Sequence, residues 1–258
     1  MNATPALFPR HIAIFVIMGV ACAFAANHVA ARFAFDHGAG LLLAILCRSG
    51  ATLLVLAGLV AWQRESLRLP PGTARWQLLL GLLIAVQSLC LYSAVARIPV
   101  ALALLIANTF PILLALITWL LGGPPPSKRT ATIMAVCLVG LVLVLDLPTR
   151  LAGVDGSDPH WWAGVAFAMV AATVFALGLW ITDHKLKSLR GPVRSFMTMA
   201  IVVSSMGLAG AAGLVPGGMS WPEGTPGWVG LASLMLLYGV AFSVLFVTLP
   251  RLNMAQNA

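Results

Sequence analysis

An arginine lies in the middle of a stretch long enough to cross a membrane. Residues 41–60 read LLLAILCRSGATLLVLAGLV, and Arg48 is a permanent cation among apolar side chains. A charge in mid-membrane costs about 2.5–3.5 kcal/mol on insertion scales, so it usually faces protein or water. A guanidinium can bind two oxygens of a carboxylate or phosphate with its planar fork of donors. Two interpretations follow: Arg48 binds an anionic solute in a pocket, or it donates to helix carbonyls and headgroups and holds the helices together.

Three further polar residues are predicted at a similar depth. Counting from the outer end of each predicted helix at 1.5 Å per residue places His28, Arg48, Gln87 and Asn108 about 9–14 Å below the outer surface. They come from four different spans, which favours one polar pocket in the outer half of the membrane. In this hypothesis Gln87 and Asn108 are neutral partners of the anion at Arg48. His28 is a candidate proton carrier because imidazole titrates near neutral pH, with a satisfied core histidine as the alternative.

Two more residues are candidates for the same site. Tyr238 lies too deep for an interface anchor and is placed to stack on a substrate. Pro111 lacks a backbone donor and therefore frees a carbonyl near position 107. Broken helices often border transporter sites, and a simple packing kink is the alternative. The predicted substrate-binding residues are Arg48, Gln87, Asn108, His28 and Tyr238, with Pro111 as a hinge or helix break.

The composition excludes an ordinary soluble domain. Of 258 residues, 60% are hydrophobic and 9% charged, whereas a soluble domain carries about 25% charged residues. Stretches of about 20 apolar residues recur along the chain, and each can span a core about 30 Å thick. The sequence therefore predicts an all-α polytopic membrane protein. Eight complete spans are predicted, at roughly 12–33, 40–62, 76–96, 99–121, 130–147, 162–183, 195–216 and 228–249.

The net charge of +8 is distributed unevenly between the two sides of the predicted membrane. Eleven of the fifteen Lys and Arg fall in segments on the side of the N-terminus, and three fall on the other side. Because the side richer in Lys and Arg stays in the cytoplasm, the N-terminus is predicted to be cytoplasmic. The excess of Lys and Arg thus indicates how the chain is oriented in the membrane, and nucleic acid is not an expected partner. The expected partners are a small-molecule substrate and the lipid bilayer, with a homodimer left open.

The two halves of the sequence repeat weakly. Because five predicted spans per unit is an odd number, the second copy must cross the membrane in the opposite sense, as in the inverted repeats of many secondary transporters. The predicted division is a first repeat at 1–147, a linker loop at 148–161 and a truncated second repeat at 162–258. Three pairs of similar segments, offset by about 145 to 154 residues, begin at Gly19 and Gly164, at Arg48 and Arg194, and at Arg97 and Arg251.

The segment YSAVARIPVALALLIANTFPILLALITWLLGGPPPSKRTATIMAVCLVGLVLVL resembles the third-to-fifth span region of EamA-type permeases of the drug/metabolite transporter superfamily. The features in common are an Ala-rich fourth helix with Pro111 near its middle, a polar break and Gly140 in the fifth helix, together with Arg48 in the second span. The resemblance implies ten helices in two inverted five-helix repeats. It also implies a central cavity and export or exchange of small metabolites by alternating access.

The chain departs from that pattern at its C-terminal end, seven residues after Arg251, at the start of a ninth helix. We expect this sequence to be a fragment of a longer protein, and a naturally shortened protein is the alternative.

The expected function is a secondary transporter that exports small metabolites or drugs, in a bacterial cytoplasmic (inner) membrane. It is not expected to be an enzyme or to need a cofactor or metal, since a G-x-x-x-x-G-K-[ST] loop and an H-E-x-x-H motif are both absent from the sequence. The alternatives are a membrane-embedded enzyme acting on a lipid-linked or small substrate, and a non-transporting membrane subunit. An enzyme should gather titratable groups at one membrane face, whereas the polar residues here lie mid-span and are mostly non-titratable.

Overall fold

Helices make up all the regular structure in the part of the chain that the computed structural model describes, which is residues 9–144, 159–215 and 218–248. In chain order they are α1 (Arg10–Asp36), α2 (Leu41–Trp62), α3 (Ala74–Val95), α4 (Val100–Ala107), α5 (Phe110–Leu120), α6 (Lys128–Val144), α7 (Pro159–Lys185), α8 (Gly191–Ala211) and α9 (Gly224–Thr248).

Seven helical segments within those ranges are long and apolar enough to cross a membrane, with α4 and α5 counted as one span. The remaining predicted span, the fifth at 130–147, coincides with α6, of which seventeen residues are described. Large apolar side chains such as Phe15, Leu54 and Leu208 are more than 70% exposed, which suits a surface that faces lipid tails. The predicted class is therefore confirmed: this is an all-helical integral membrane protein. The predicted start of a ninth helix lies outside the described residues.

The fourth span is interrupted where the sequence places Asn108 and Pro111. Helix α4 ends at Ala107, and α5 begins at Phe110 with Pro111 in its first turn. Between them the Thr109 N–H donates to the carbonyl of Ile106 at 3.0 Å, a tighter turn than the α-helical pattern. Proline has no N–H with which to continue the helical ladder, which explains why the break falls at this point.

The helices pack into two compact units. The first contains α1, α2, α9 and most of α8, and the second contains α3 to α7. Each unit draws on both halves of the sequence. The division of the sequence at 1–147, 148–161 and 162–258 stays a prediction.

In the first unit, α1 packs along α9 in antiparallel fashion, and α2 also contacts α9. The two long helices approach most closely at Gly230, where an added Cβ would lie 2.9 Å from the backbone nitrogen of Ala34. Ala31 and Ala34 are fully buried on the facing side of α1. Small residues allow this close approach. Gly19 does not take part, because it is exposed and nothing described lies within 4 Å of its Cβ position.

In the second unit, α3 packs antiparallel on α7, and α4 and α5 also contact α7. An added Cβ at Gly164 would lie 2.6 Å from Cγ2 of Ile98, so the glycine is needed for this approach. Small residues line the buried side of this helix. All four are buried: Gly164, Ala168, Ala172 and Ala176.

Candidate functional site

Arg48 is buried inside the first unit, with 4% of its surface exposed. Its guanidinium carbon lies 4.3 Å from the centre of the Tyr238 ring. A cation over an aromatic face gains about 2 kcal/mol or more when water is excluded. The guanidinium of Arg48 on α2 is therefore held over the ring of Tyr238 on α9. Arg48 and Tyr238 are 190 positions apart in the sequence, so the sequence alone does not predict this contact.

Two phenylalanines pack against the ring of Tyr238. Phe24 lies edge-on to Tyr238 at 5.4 Å between ring centroids, and Phe242 lies 5.2 Å from Tyr238. Tyr238 and Phe242 share a face of α9, as Phe24 and His28 share a face of α1, because residues four apart are helix neighbours. That spacing was the available signal for the two phenylalanines, which sequence reasoning missed.

His28 belongs to the same cluster. It is 8% exposed on α1, next to the fully buried Asn27. The charge of Arg48 acts on both His28 and Tyr238. The structure thus brings together three of the residues predicted from sequence, one each from α1, α2 and α9.

Two hydroxyl residues lie directly beside Arg48 on α2. Thr52 is fully buried, and its Oγ1 donates to the carbonyl oxygen of Arg48 at 2.8 Å. Ser49 is also fully buried, and its Oγ makes no hydrogen bond within the described part of the chain. A buried hydroxyl without a partner costs about 1–3 kcal/mol, so it indicates a place where a polar ligand group can bind. Sequence reasoning missed Ser49, although its position next to Arg48 in an apolar run was a usable signal.

Gln87 and Asn108 belong to the second unit. Gln87 is half-buried on α3. Asn108 is exposed at the end of α4, where its Nδ2 donates to the carbonyl oxygen of Leu104 at 2.8 Å. This local bond helps to satisfy the broken helix end. The membership of both residues in a common pocket with Arg48 stays a prediction.

The Arg48 cluster combines one cation, aromatic faces and a hydroxyl. The helices that build it carry a single described carboxylate, Asp36 at the end of α1, and this pairs with Arg32 at 2.9 Å. The charge deep in the unit is therefore positive. Among the described residues, no three His, Cys, Asp or Glu side chains lie together as a metal site requires. The chemistry that this cluster can perform is recognition of an anionic group.

The fold is that of a polytopic helical membrane protein, and its first unit contains a buried cationic cluster. The sequence model of the EamA-like transporter family matches residues 11–146, more than half of the chain. The chain belongs to this family, and is thus a membrane transporter of the drug/metabolite transporter superfamily. Comparisons with curated proteins and with solved structures gave no match. Because the family consists of transporters rather than enzymes, it supports a non-enzymatic role. The matched range includes His28 and Arg48 but not Tyr238.

Proposed function

We propose that the chain is a secondary transporter that exports small anionic metabolites or drugs from the cytoplasm by alternating access. The observation that carries this proposal is the buried Arg48 guanidinium over the Tyr238 ring in a protein of a transporter family. A charge placed there costs about 2.5–3.5 kcal/mol on insertion scales, and binding of an anion offsets that cost. In the proposal His28, Gln87 and Asn108 are neutral partners of the anion at Arg48, Tyr238 stacks on the solute, and Pro111 marks a hinge.

The packing of each unit supports the proposed inverted repeat. The first unit pairs α1 with α9 in antiparallel fashion, and the second pairs α3 with α7 in the same way. The sequence offset of about 145 residues relates α1 to α7, and the offset of about 154 relates α3 to α9. Under the proposed repeat, the α1–α9 pair corresponds to the α7–α3 pair. Such related halves are the usual basis of alternating access in secondary transporters.

A cytoplasmic N-terminus predicts opposite labelling of two loop positions. Ser66 follows α2 and Met219 precedes α9, and both are exposed. A membrane-impermeant maleimide on intact cells is expected to label Met219→Cys but not Ser66→Cys, because only Met219 would face outward. The unmodified chain, with its own four cysteines, gives the background. The reverse pattern would contradict the proposed orientation.

Binding is expected to discriminate by charge. We expect aromatic and aliphatic carboxylates to raise the melting temperature of the purified protein, while the matching amides and amines do not. A ligand at about 100 times its Kd stabilises a protein by about 2.7 kcal/mol, which a melting curve resolves easily. The screen compares each carboxylate with its amide and its amine at one concentration. Equal stabilisation by all three members of a series would refute an anion site at Arg48.

A further inference from the structure

A groove of about 210 Å³ lies between α2 and α9, in the same unit as the Arg48 cluster. Residues of α2 between Thr52 and Trp62 form one wall, and Phe242 and Ser243 of α9 form the other. The groove extends along α2 away from Arg48. None of the residues predicted from sequence lines it.

Two contacts connect the groove to the cationic cluster. Thr52 lies one helical turn beyond Arg48 and donates to its carbonyl oxygen at 2.8 Å. Phe242 packs against Tyr238, whose ring carries the guanidinium of Arg48. The groove therefore begins one helical turn from Arg48, next to the cationic cluster.

The walls of the groove are suited to an apolar body. The Thr52 hydroxyl donates to Arg48 and the Ser243 hydroxyl donates to the carbonyl of Gly239 at 2.7 Å, so both protons are used within their own helices. Leu56 is 1% exposed at the base of the groove, and Trp62 is 80% exposed at its far end. A solute in the groove thus gains from burial of hydrocarbon and not from new hydrogen bonds with these hydroxyl protons.

We propose that the substrate is an amphipathic monoanion, with its carboxylate at Arg48 and its apolar body in the groove. This inference rests on the proposed function and deepens it by naming the substrate class. The charge complementarity of Arg48 at one end, together with the apolar walls beyond it, favours this occupant. The acyl chain of a membrane lipid is the competing occupant, and it requires no contribution from Arg48.

The proposal predicts a dependence of affinity on chain length. In a series of straight-chain carboxylates from two to eight carbons, affinity for the purified full chain is expected to rise about fourfold per methylene, the equivalent of about 0.8 kcal/mol, until the groove is filled. The measurement is the ligand-induced shift in melting temperature across a concentration series. The matching straight-chain alcohols test whether the carboxylate is needed.

Two glycines of α2 provide the test variant and its control. Gly58 lines the groove, and Gly50 does not. Nothing described lies within 4 Å of an added Cβ at either position, so both have room for the first carbon of a side chain. Gly58→Leu is expected to fill the groove and abolish the dependence on chain length, while the shortest carboxylate binds as before. Gly50→Leu is expected to keep the dependence of the native chain.

Each outcome bears on the proposal. If the native protein prefers carboxylates over amides but binds long and short carboxylates equally well, the groove does not bind the substrate. The anion site at Arg48 is then unaffected. An unchanged dependence in Gly58→Leu also overturns the proposed role of the groove. If alcohols bind as tightly as carboxylates of equal length, the groove is a lipid site and the proposed substrate class is wrong. Failure of every carboxylate to bind overturns both this inference and the proposed function.

Discussion

Replacing Arg48 by glutamine is expected to weaken binding of anionic solutes by at least about 30-fold. The guanidinium is buried and held over the Tyr238 ring, so its charge acts on a bound anion with little screening by water. Removing one partner of a buried charge pair costs about 2–5 kcal/mol, which corresponds to at least about 30-fold in Kd. The measurement is the Kd of the best carboxylate from the charge-matched series, taken from its shift of the melting temperature.

Two other arginine substitutions make this prediction specific. Arg48→Lys keeps the charge but loses the planar fork, so an intermediate affinity is expected. Arg32→Gln is the matched control, because Arg32 belongs to the same unit but forms an exposed pair with Asp36 at 2.9 Å. Such surface pairs contribute about 0–1 kcal/mol, and anion binding should not change. An Arg48→Gln protein that folds and binds carboxylates as tightly as the native chain would rule out the proposed role of Arg48.

Replacing Gly230 by alanine is expected to lower the melting temperature of the purified protein by several degrees. The added Cβ would lie 2.9 Å from the backbone nitrogen and 3.1 Å from the Cα of Ala34. These are backbone atoms and cannot rotate aside, so α1 and α9 must separate. Forcing an extra carbon into a closely packed site costs about 1–3 kcal/mol. Because α9 carries Tyr238, anion binding should weaken as well.

Gly239 on the same helix is the control for this substitution. Nothing described lies within 4 Å of an added Cβ at Gly239. Gly239→Ala should therefore leave the melting temperature unchanged or raise it, since alanine in a helix interior is favoured over glycine by about 0.5–1 kcal/mol. If both alanine variants melt at the same temperature, the close crossing of α1 and α9 at Gly230 does not hold the first unit together.

The spans were predictable because membrane crossing imposes a length of apolar sequence that few other structures need. The ends were less predictable, since a helix continues beyond the apolar stretch where polar side chains support it. Helix α1 was predicted to end at 33 but extends to Asp36, whose carboxylate pairs with Arg32 one turn back. This pairing of residues four apart stabilises a helix in a way that hydropathy does not register.

The candidate site was predictable in part. Counting residues from a helix end predicts the depth of Arg48 and His28, but it does not predict the direction in which either side chain points. Helices that are apolar on most sides carry little periodic signal for their buried face. Two features depend on packing between distant segments, so only the structure reveals them. They are the Tyr238 ring beneath Arg48 and the Ser49 hydroxyl, which makes no hydrogen bond among the described residues.

The central claim is that this chain moves an anionic solute across a membrane through the site at Arg48. Its most direct test is uptake of the tightest-binding radiolabelled carboxylate into proteoliposomes that contain the purified full chain and are preloaded with the unlabelled compound. We expect saturable exchange by the native chain and by Arg32→Gln, and loss of exchange in Arg48→Gln at the same protein content. Native chain that binds the carboxylate but gives no exchange above protein-free liposomes would contradict the account.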